Sequence, residues 1–177
     1  MDDTLSSLES RQKEIPQGMI HYGYNKRFQK CYYSLMENLI KSQQNTNLTL
    51  IGHSLGGVMA SIAGFYLNLE FDMNVTVRTY GAPKWGNRQL KRFIETKENI
   101  SITNYVNTSD PVIYKPGNNY SRIGKVLSGH IDTGNDNVNH GIKIYRELIV
   151  KNFGFKTKPR NHRFDEIISR KIMNILT

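Results

Sequence analysis

The spacing of hydrophobic residues alternates along the chain between a helical period and short apolar runs. From Lys26 to Lys41, apolar residues recur three or four positions apart, which predicts an amphipathic helix. Apolar and β-branched runs predict strands at Leu48 to Ile51, Val75 to Tyr80 and Ile100 to Val106. Helical spacing returns at residues 57–69, 87–97 and 140–150. Strands that alternate with helices of this length indicate an α/β protein with a mostly parallel sheet.

The remaining segments carry weaker patterns. Residues 1–19 are polar without a clear period, so we expect a polar N-terminal segment there. Residues 111–139 are rich in Gly, Asn and Asp, which predicts loops with one short strand over Ile123 to Leu127. Cys31 lies beside the apolar stripe of the first helix and is expected to be a small buried hydrophobe. We therefore expect one domain over residues 20–155.

Length and cysteine usage restrict the class of protein. A chain of 177 residues suits one domain. Its single cysteine cannot form an internal disulfide or supply a thiolate zinc site. No apolar run approaches the roughly 18 residues that span a bilayer, and the start lacks the basic-then-apolar order of a signal peptide. These features favour a cytoplasmic protein.

The basic charge is concentrated at the C-terminal end. The formal net charge is +9, yet residues 143–177 hold nine Lys and Arg against three acidic residues. A basic excess confined to one end argues against nucleic acid as the partner of the whole domain. In residues 156–177, isoleucines recur at helical spacing opposite Arg170 and Lys171, which predicts a basic amphipathic helix. Such a helix fits an anionic membrane surface, with an ordinary solvated face as the alternative.

One short motif carries chemistry. The segment Gly52-His53-Ser54-Leu55-Gly56 fits the pattern G-x-S-x-G between a predicted strand and a predicted helix. A serine on a sharp strand-to-helix turn is the nucleophile position of α/β hydrolases, and flanking glycines leave room for the turn. The Leu55 N–H at the start of the helix would face the place where an oxyanion forms. A glycine-rich turn that only packs a helix on a strand is the alternative.

A nucleophilic serine needs a base, and the base needs a carboxylate. In this kind of fold the chain order is serine, acid, histidine. Asp110 follows the strand that ends at Val106, in a turn before Pro111. It is therefore the predicted acid, since catalytic groups of open α/β sheets collect at the carboxyl ends of strands. Asp132 and Asp136 are weaker candidates because no strong strand precedes them.

Three histidines follow Asp110 in the chain, and the first two, His130 and His140, are candidates for the base. His140 stands immediately before a predicted helix, and we favour it as the base because such a loop can carry an imidazole back over the sheet. His130 is the alternative base. His53, inside the motif, is expected to be structural, and His21 and His162 are expected to be ordinary packing or surface residues.

These segments resemble the class 3, or fungal-type, lipase family of α/β hydrolases. The similar stretches are residues 51–57, 80–87 and 106–112, His140 with Tyr145, and the upstream residues 21–24. Together they extend over residues 20–150. The resemblance implies an α/β-hydrolase fold and a serine esterase that hydrolyses acylglycerols or phospholipids through Ser54, His140 and Asp110. It implies no metal and no organic cofactor.

The chain also departs from the family pattern. Family members have an earlier strand that ends in an F-R-G-T-like sequence and supplies a second oxyanion donor, and residues 1–20 contain no such segment. The resemblance therefore implies a sheet without the usual N-terminal strands, with an edge that must be covered or paired. A catalytically weak or inactive lipase-like module that binds lipid or a protein partner is the alternative function. The interval from Asp110 to His140 is shorter than in most of the family, which keeps His130 open as the base.

Overall fold

A β-hairpin begins the part of the chain that this computed structural model describes, residues 12–41 and 47–154. Strand β1 (Gln12–Ile15) pairs antiparallel with strand β2 (Gly18–His21). Ile20 is fully buried, and the Met19 carbonyl accepts a hydrogen bond from the Asn87 N–H. The hairpin begins within residues 1–19, for which the sequence predicted a polar segment and no strand. Strands of four residues are too short for a period of two to stand out in the sequence.

A four-stranded sheet forms the centre of the described region. Its strands are β3 (Asn47–His53), β4 (Asn74–Tyr80), β5 (Ile100–Asn107) and β6 (Lys125–Gly129). They lie side by side in chain order, and each adjacent pair is parallel. The predicted α/β architecture with a mostly parallel sheet is confirmed. All four carboxyl ends therefore meet at one edge of the sheet.

Helices cover both faces of this sheet. They are α1 (Tyr22–Lys41), α2 (Leu55–Phe71), α3 (Arg88–Glu95), α4 (Asp136–Asn139) and α5 (Ile142–Phe153). Gly64 of α2 lies against Val75 and Val77 of β4. On α5, Phe153 contacts Tyr105 of β5, whose register partner is Tyr80 of β4. Successive side chains of a strand point to opposite faces, so α2 and α5 pack on opposite sides.

Helix α1 packs its apolar stripe on α2. Phe28 is buried and stacks on Tyr66, and Tyr32 and Leu35 are half-buried against the same core. Cys31 is exposed, so the expectation that it is buried is wrong. Cys31 is one residue away from Tyr32, which belongs to the apolar stripe. Because successive residues of a helix are rotated by about 100°, Cys31 faces solvent, as the exposed Lys30 does.

Strand β3 forms one edge of the described sheet. Its residues alternate between exposed and half-buried from Asn47 to Ile51, and Ile51 is 63% exposed. The strand that leads into the serine motif is thus paired on one side, with β4, within the described residues. No helix in the described ranges is long and apolar enough to cross a membrane. The predicted basic amphipathic helix, residues 156–177, lies outside the described residues.

Candidate active site

Ser54 occupies a strained turn between β3 and α2. Its φ of 54° and ψ of −128° place a non-glycine residue in the left-handed half of conformational space, which costs about 1–3 kcal/mol. The Ser54 N–H donates to the Tyr80 carbonyl at 2.9 Å. The Ser54 carbonyl accepts from the Gly57 N–H at 3.0 Å. Both neighbouring elements therefore hold the turn in place, and Leu55 begins α2 directly after it.

Two glycines make this turn possible, and they are not the pair that the motif suggests. A Cβ on Gly52 would lie 2.2 Å from the Gly56 carbonyl oxygen, and one on Gly57 would lie 2.8 Å from the Ala82 Cβ. A Cβ on Gly56 would meet nothing within 4 Å. The expectation that both motif glycines leave necessary room is therefore confirmed for Gly52 and wrong for Gly56. The close packing falls on Gly57 because that residue faces β4.

Replacing Gly52 by alanine should destabilise the protein by about 3 kcal/mol, since the added methyl meets only backbone atoms, which cannot rotate away. Gly56→Ala is the matched control. Its methyl enters open space in the first turn of a helix, where alanine is favoured over glycine by about 1 kcal/mol. Urea unfolding of the two variants measures the difference in stability, and equal midpoints would show that the turn at Ser54 is not tightly packed.

Three side chains from different elements meet at the carboxyl edge of the sheet. The Nε2 of His140 lies 2.7 Å from the Oγ of Ser54. The Nδ1 of the same ring lies 2.8 Å from the Oδ2 of Asp110. A carboxylate only accepts, so Nδ1 carries the proton and Nε2 is free to accept from the serine hydroxyl. The arrangement can therefore move a proton from Ser54 to an imidazole whose tautomer is held by a carboxylate.

Asp110 is completely buried and fully satisfied as an acceptor. Its Oδ1 accepts from the Val112 N–H at 2.9 Å, which begins the short 3₁₀ helix Pro111–Tyr114. Its Oδ2 accepts from the Tyr145 hydroxyl at 2.6 Å as well as from His140. Burial of a carboxylate costs free energy unless its oxygens are hydrogen-bonded, and these three donors offset that cost.

Tyr145 links the acid to α5. Its side chain is fully buried, its hydroxyl donates to Asp110, and it accepts from the Asn107 N–H at 3.3 Å. Burial, and then the hydrogen bond to Asp110, raise the pKa of the Tyr145 hydroxyl well above its usual value. The hydroxyl therefore remains a donor across the pH range in which esters are assayed.

Removing this hydroxyl in Tyr145→Phe should cost about 1–2 kcal/mol of unfolding free energy, because the Asn107 N–H and the Asp110 carboxylate each lose a buried partner. Ester turnover should fall about tenfold as the carboxylate loses one of its three donors. Tyr114→Phe is the matched control, since the Tyr114 hydroxyl donates to the Thr108 carbonyl at an exposed site. Thermal melting and initial rates measure both variants, and a Tyr145→Phe protein as stable and active as Tyr114→Phe would contradict the role.

Arg122 lies near Asp110 and forms hydrogen bonds to two different loops. Its guanidinium donates to the Ala82 carbonyl at 2.6 Å and to the Ile113 carbonyl. Burial lowers the pKa of this guanidinium, while the charge of Asp110 acts in the opposite direction. Sequence reasoning did not single out Arg122, since one arginine in a glycine- and asparagine-rich stretch carries no pattern.

A network of buried amides holds the segment that precedes His140. The Asn107 side chain donates to the carbonyls of Ile131 (2.8 Å) and Asn139 (3.2 Å) and accepts from the Ile131 N–H (2.9 Å). The Asn139 amide donates to Asp132 at 2.9 Å. Sequence reasoning missed both asparagines. The only sequence signal for Asn107 is that it stands directly after a predicted strand, at the carboxyl edge of the sheet.

The other candidate residues lie elsewhere. The exposed His130 directs its Nδ1 toward Thr108 Oγ1 (2.8 Å) and Ser109 Oγ (3.1 Å). The Asp132 carboxylate accepts from the Gly134 N–H and the Asn139 amide, which lower its pKa in that order. Asp136 is exposed at the start of α4. Ser54 and His140 are thus brought together with Asp110 rather than with either of the weaker acids.

The fold and the site together place the chain among the α/β hydrolases. The lipase of Rhizopus microsporus var. chinensis superposes with a TM-score of 0.63 at 19% identity, over 75% of this chain and 50% of that one. Residues 1–120 match the family model described as lipase (class 3). The chain belongs to the class 3 lipase family, as the sequence resemblance predicted.

Two curated relatives are similar over shorter stretches. A triacylglycerol lipase of Nicotiana tabacum is 32% identical over 112 residues, covering 58% of this chain and 18% of that protein. A phospholipase A1 of Arabidopsis thaliana is 34% identical over 94 residues, covering 48% of this chain and 23% of that protein. The chain therefore spans less than a quarter of the length of these relatives.

Proposed function

We propose that this chain is a serine hydrolase that cleaves carboxylic esters of acylglycerols or phospholipids. The observation that carries the proposal is the unbroken hydrogen-bonded path from Ser54 through His140 to Asp110. The two relatives, a triacylglycerol lipase and a phospholipase A1, support the substrate class.

In the proposed reaction, the Ser54 Oγ attacks the ester carbonyl carbon while its proton passes to the His140 Nε2. The Leu55 N–H, at the positive end of α2, donates to the oxygen that becomes negative. His140 then gives the proton to the leaving alcohol as the carbon–oxygen bond breaks, and an acyl-serine remains. Water attacks this acyl group with His140 again as the base, which releases the fatty acid and restores Ser54.

Asp110 keeps the imidazole in the tautomer that this reaction needs and stabilises the imidazolium that forms. The nucleophile is fixed before substrate arrives. The Ser54 backbone is strained, and hydrogen bonds to the Tyr80 carbonyl and from the Gly57 N–H hold it in place. Such preorganisation accounts for a large share of enzymatic rate enhancement. Among the described residues, no three His, Cys, Asp or Glu side chains are grouped to hold a metal ion.

Reaction with a fluorophosphonate probe tests the proposal. We expect covalent labelling at Ser54, located by peptide mass spectrometry, and no labelling of Ser54→Ala. Ser128→Ala is the matched control, because Ser128 is an exposed serine on β6. Folded wild-type protein that stays unlabelled would overturn the hydrolase proposal and favour a lipase-like module that only binds lipid or a partner.

We also propose that residues 156–177 contact anionic membrane, which would bring the site to its lipid substrate. Their isoleucines and basic residues have the spacing of an interfacial helix. Cosedimentation with phosphatidylserine vesicles, with and without these residues, measures the contribution. Equal binding by both proteins would contradict a membrane contact through residues 156–177.

A further inference from the structure

His53 bridges the nucleophile strand and the backbone of the candidate base. It is the last residue of β3, directly before Ser54. Its Nε2 lies 2.8 Å from the carbonyl oxygen of His140. The imidazole rings of His53 and His140 are 4.9 Å apart between centroids, and the Tyr145 ring lies 5.8 Å from that of His53. The segment that carries the base is therefore fastened at its main chain to the strand that carries the nucleophile.

The chemistry of the contact fixes the direction of this hydrogen bond. A carbonyl oxygen only accepts, so the Nε2 of His53 must carry the proton. The ionisable groups around the ring are His140 and Asp110 at the site, Tyr145 from α5, and Tyr80, its register partner in β4. Burial is the main cause that lowers the pKa of His53 below its usual value. A lowered pKa favours the neutral ring, which places no like charge beside His140 when that imidazole becomes protonated.

We propose that His53 is a positioning residue, which sets the distance between the Ser54 Oγ and the His140 Nε2 by donating to the His140 carbonyl. Two contacts then act on different parts of His140: Asp110 orients the ring, and His53 anchors the main chain. The sequence suggested only a structural residue trapped in the motif. The proposal rests on the proposed hydrolase function, and its test separates the two.

Glutamine and asparagine at position 53 distinguish the hydrogen bond from simple packing. The amide nitrogen of glutamine is as many bonds from Cβ as the Nε2 of histidine, so His53→Gln can still donate to the His140 carbonyl. Asparagine carries the same amide one bond closer, and His53→Asn cannot reach. Exhaustive fluorophosphonate titration first gives the concentration of competent sites in each protein. Turnover of tributyrin is then expressed per competent site.

We expect kcat of His53→Asn to fall about tenfold with KM within about twofold, since a small displacement of a base raises the barrier without changing substrate binding. His53→Gln should stay within about threefold of wild type, and melting temperatures show whether both variants fold equally well. An asparagine variant with wild-type kcat would overturn the proposal. So would a glutamine variant as impaired as the asparagine variant.

A measurement without substrate keeps the two proposals apart. In protein with ¹⁵N-labelled histidine, the proton on the His140 Nδ1 should give a resonance shifted downfield by its bond to Asp110. We expect this resonance to persist in His53→Gln and to broaden or disappear in His53→Asn. If wild type neither labels nor hydrolyses ester but this difference is seen, the hydrolase proposal fails and the positioning role stands. If the resonance is unchanged in both variants, the positioning role fails.

Discussion

Replacing His140 by alanine should lower the rate of tributyrin hydrolysis by about 10⁴- to 10⁶-fold, the range seen when the base of a serine triad is removed. The Ser54 hydroxyl would lose its acceptor at 2.7 Å, and the leaving alcohol would lose its proton donor. Tributyrin is the suitable substrate because the alkoxide of its dibutyrylglycerol leaving group needs that proton. A pH-stat follows the released butyrate directly.

His130→Ala is the matched control for this experiment. It removes the same side chain from an exposed site, where the ring contacts Thr108 and Ser109. We expect turnover within about threefold of wild type, since exposed polar contacts of this kind contribute little. The opposite outcome, with activity lost in His130→Ala and kept in His140→Ala, would show that His130 is the base.

Changing Asp110 to asparagine should reduce turnover by about 10³- to 10⁴-fold with little change in overall shape. An asparagine amide in place of Oδ2 would donate to the His140 Nδ1, which then cannot carry a proton. The proton would move to Nε2, the atom that must accept from Ser54. The substitution therefore leaves the three side chains in place but moves the imidazole proton from Nδ1 to Nε2, so that His140 cannot accept the proton of Ser54.

Asp136→Asn provides the comparison for charge removal, because Asp136 is exposed at the start of α4, the helix that directly precedes His140. Its activity should be close to that of the unchanged protein. Initial rates at saturating tributyrin, together with circular dichroism to verify folding, decide the result. Full activity in Asp110→Asn would exclude a role for this carboxylate in holding the tautomer.

The sequence predicted most strands of the sheet because they are apolar or β-branched runs bounded by polar segments. The strands at Val75 to Tyr80 and Ile100 to Val106 agree with β4 and β5 to within one residue at each end. The short strand predicted over Ile123 to Leu127 lies two residues later, at Lys125–Gly129. Glycine and asparagine around it remove the hydrophobic contrast that would fix its ends, so only the pairing with β5 defines them.

The candidate site was predictable as far as chain order allows. Ser54, Asp110 and His140 follow the order expected of the fold, and the structure brings them within hydrogen-bonding distance. The supporting residues were not predictable, since Asn107 and Arg122 act through bonds to the carbonyls of residues far along the chain. Such contacts depend on three-dimensional proximity, and no local pattern of residue types records them.

The pairing of β3 with β4 has a dynamic consequence. Parts of a protein open locally at free energies that range up to that of global unfolding. Because Ser54 follows β3 directly while His140 and Asp110 are anchored beside β5, local loss of the β3–β4 pairing would separate nucleophile from base. Activity would then be lost while the pairing of β4 with β5 remains intact.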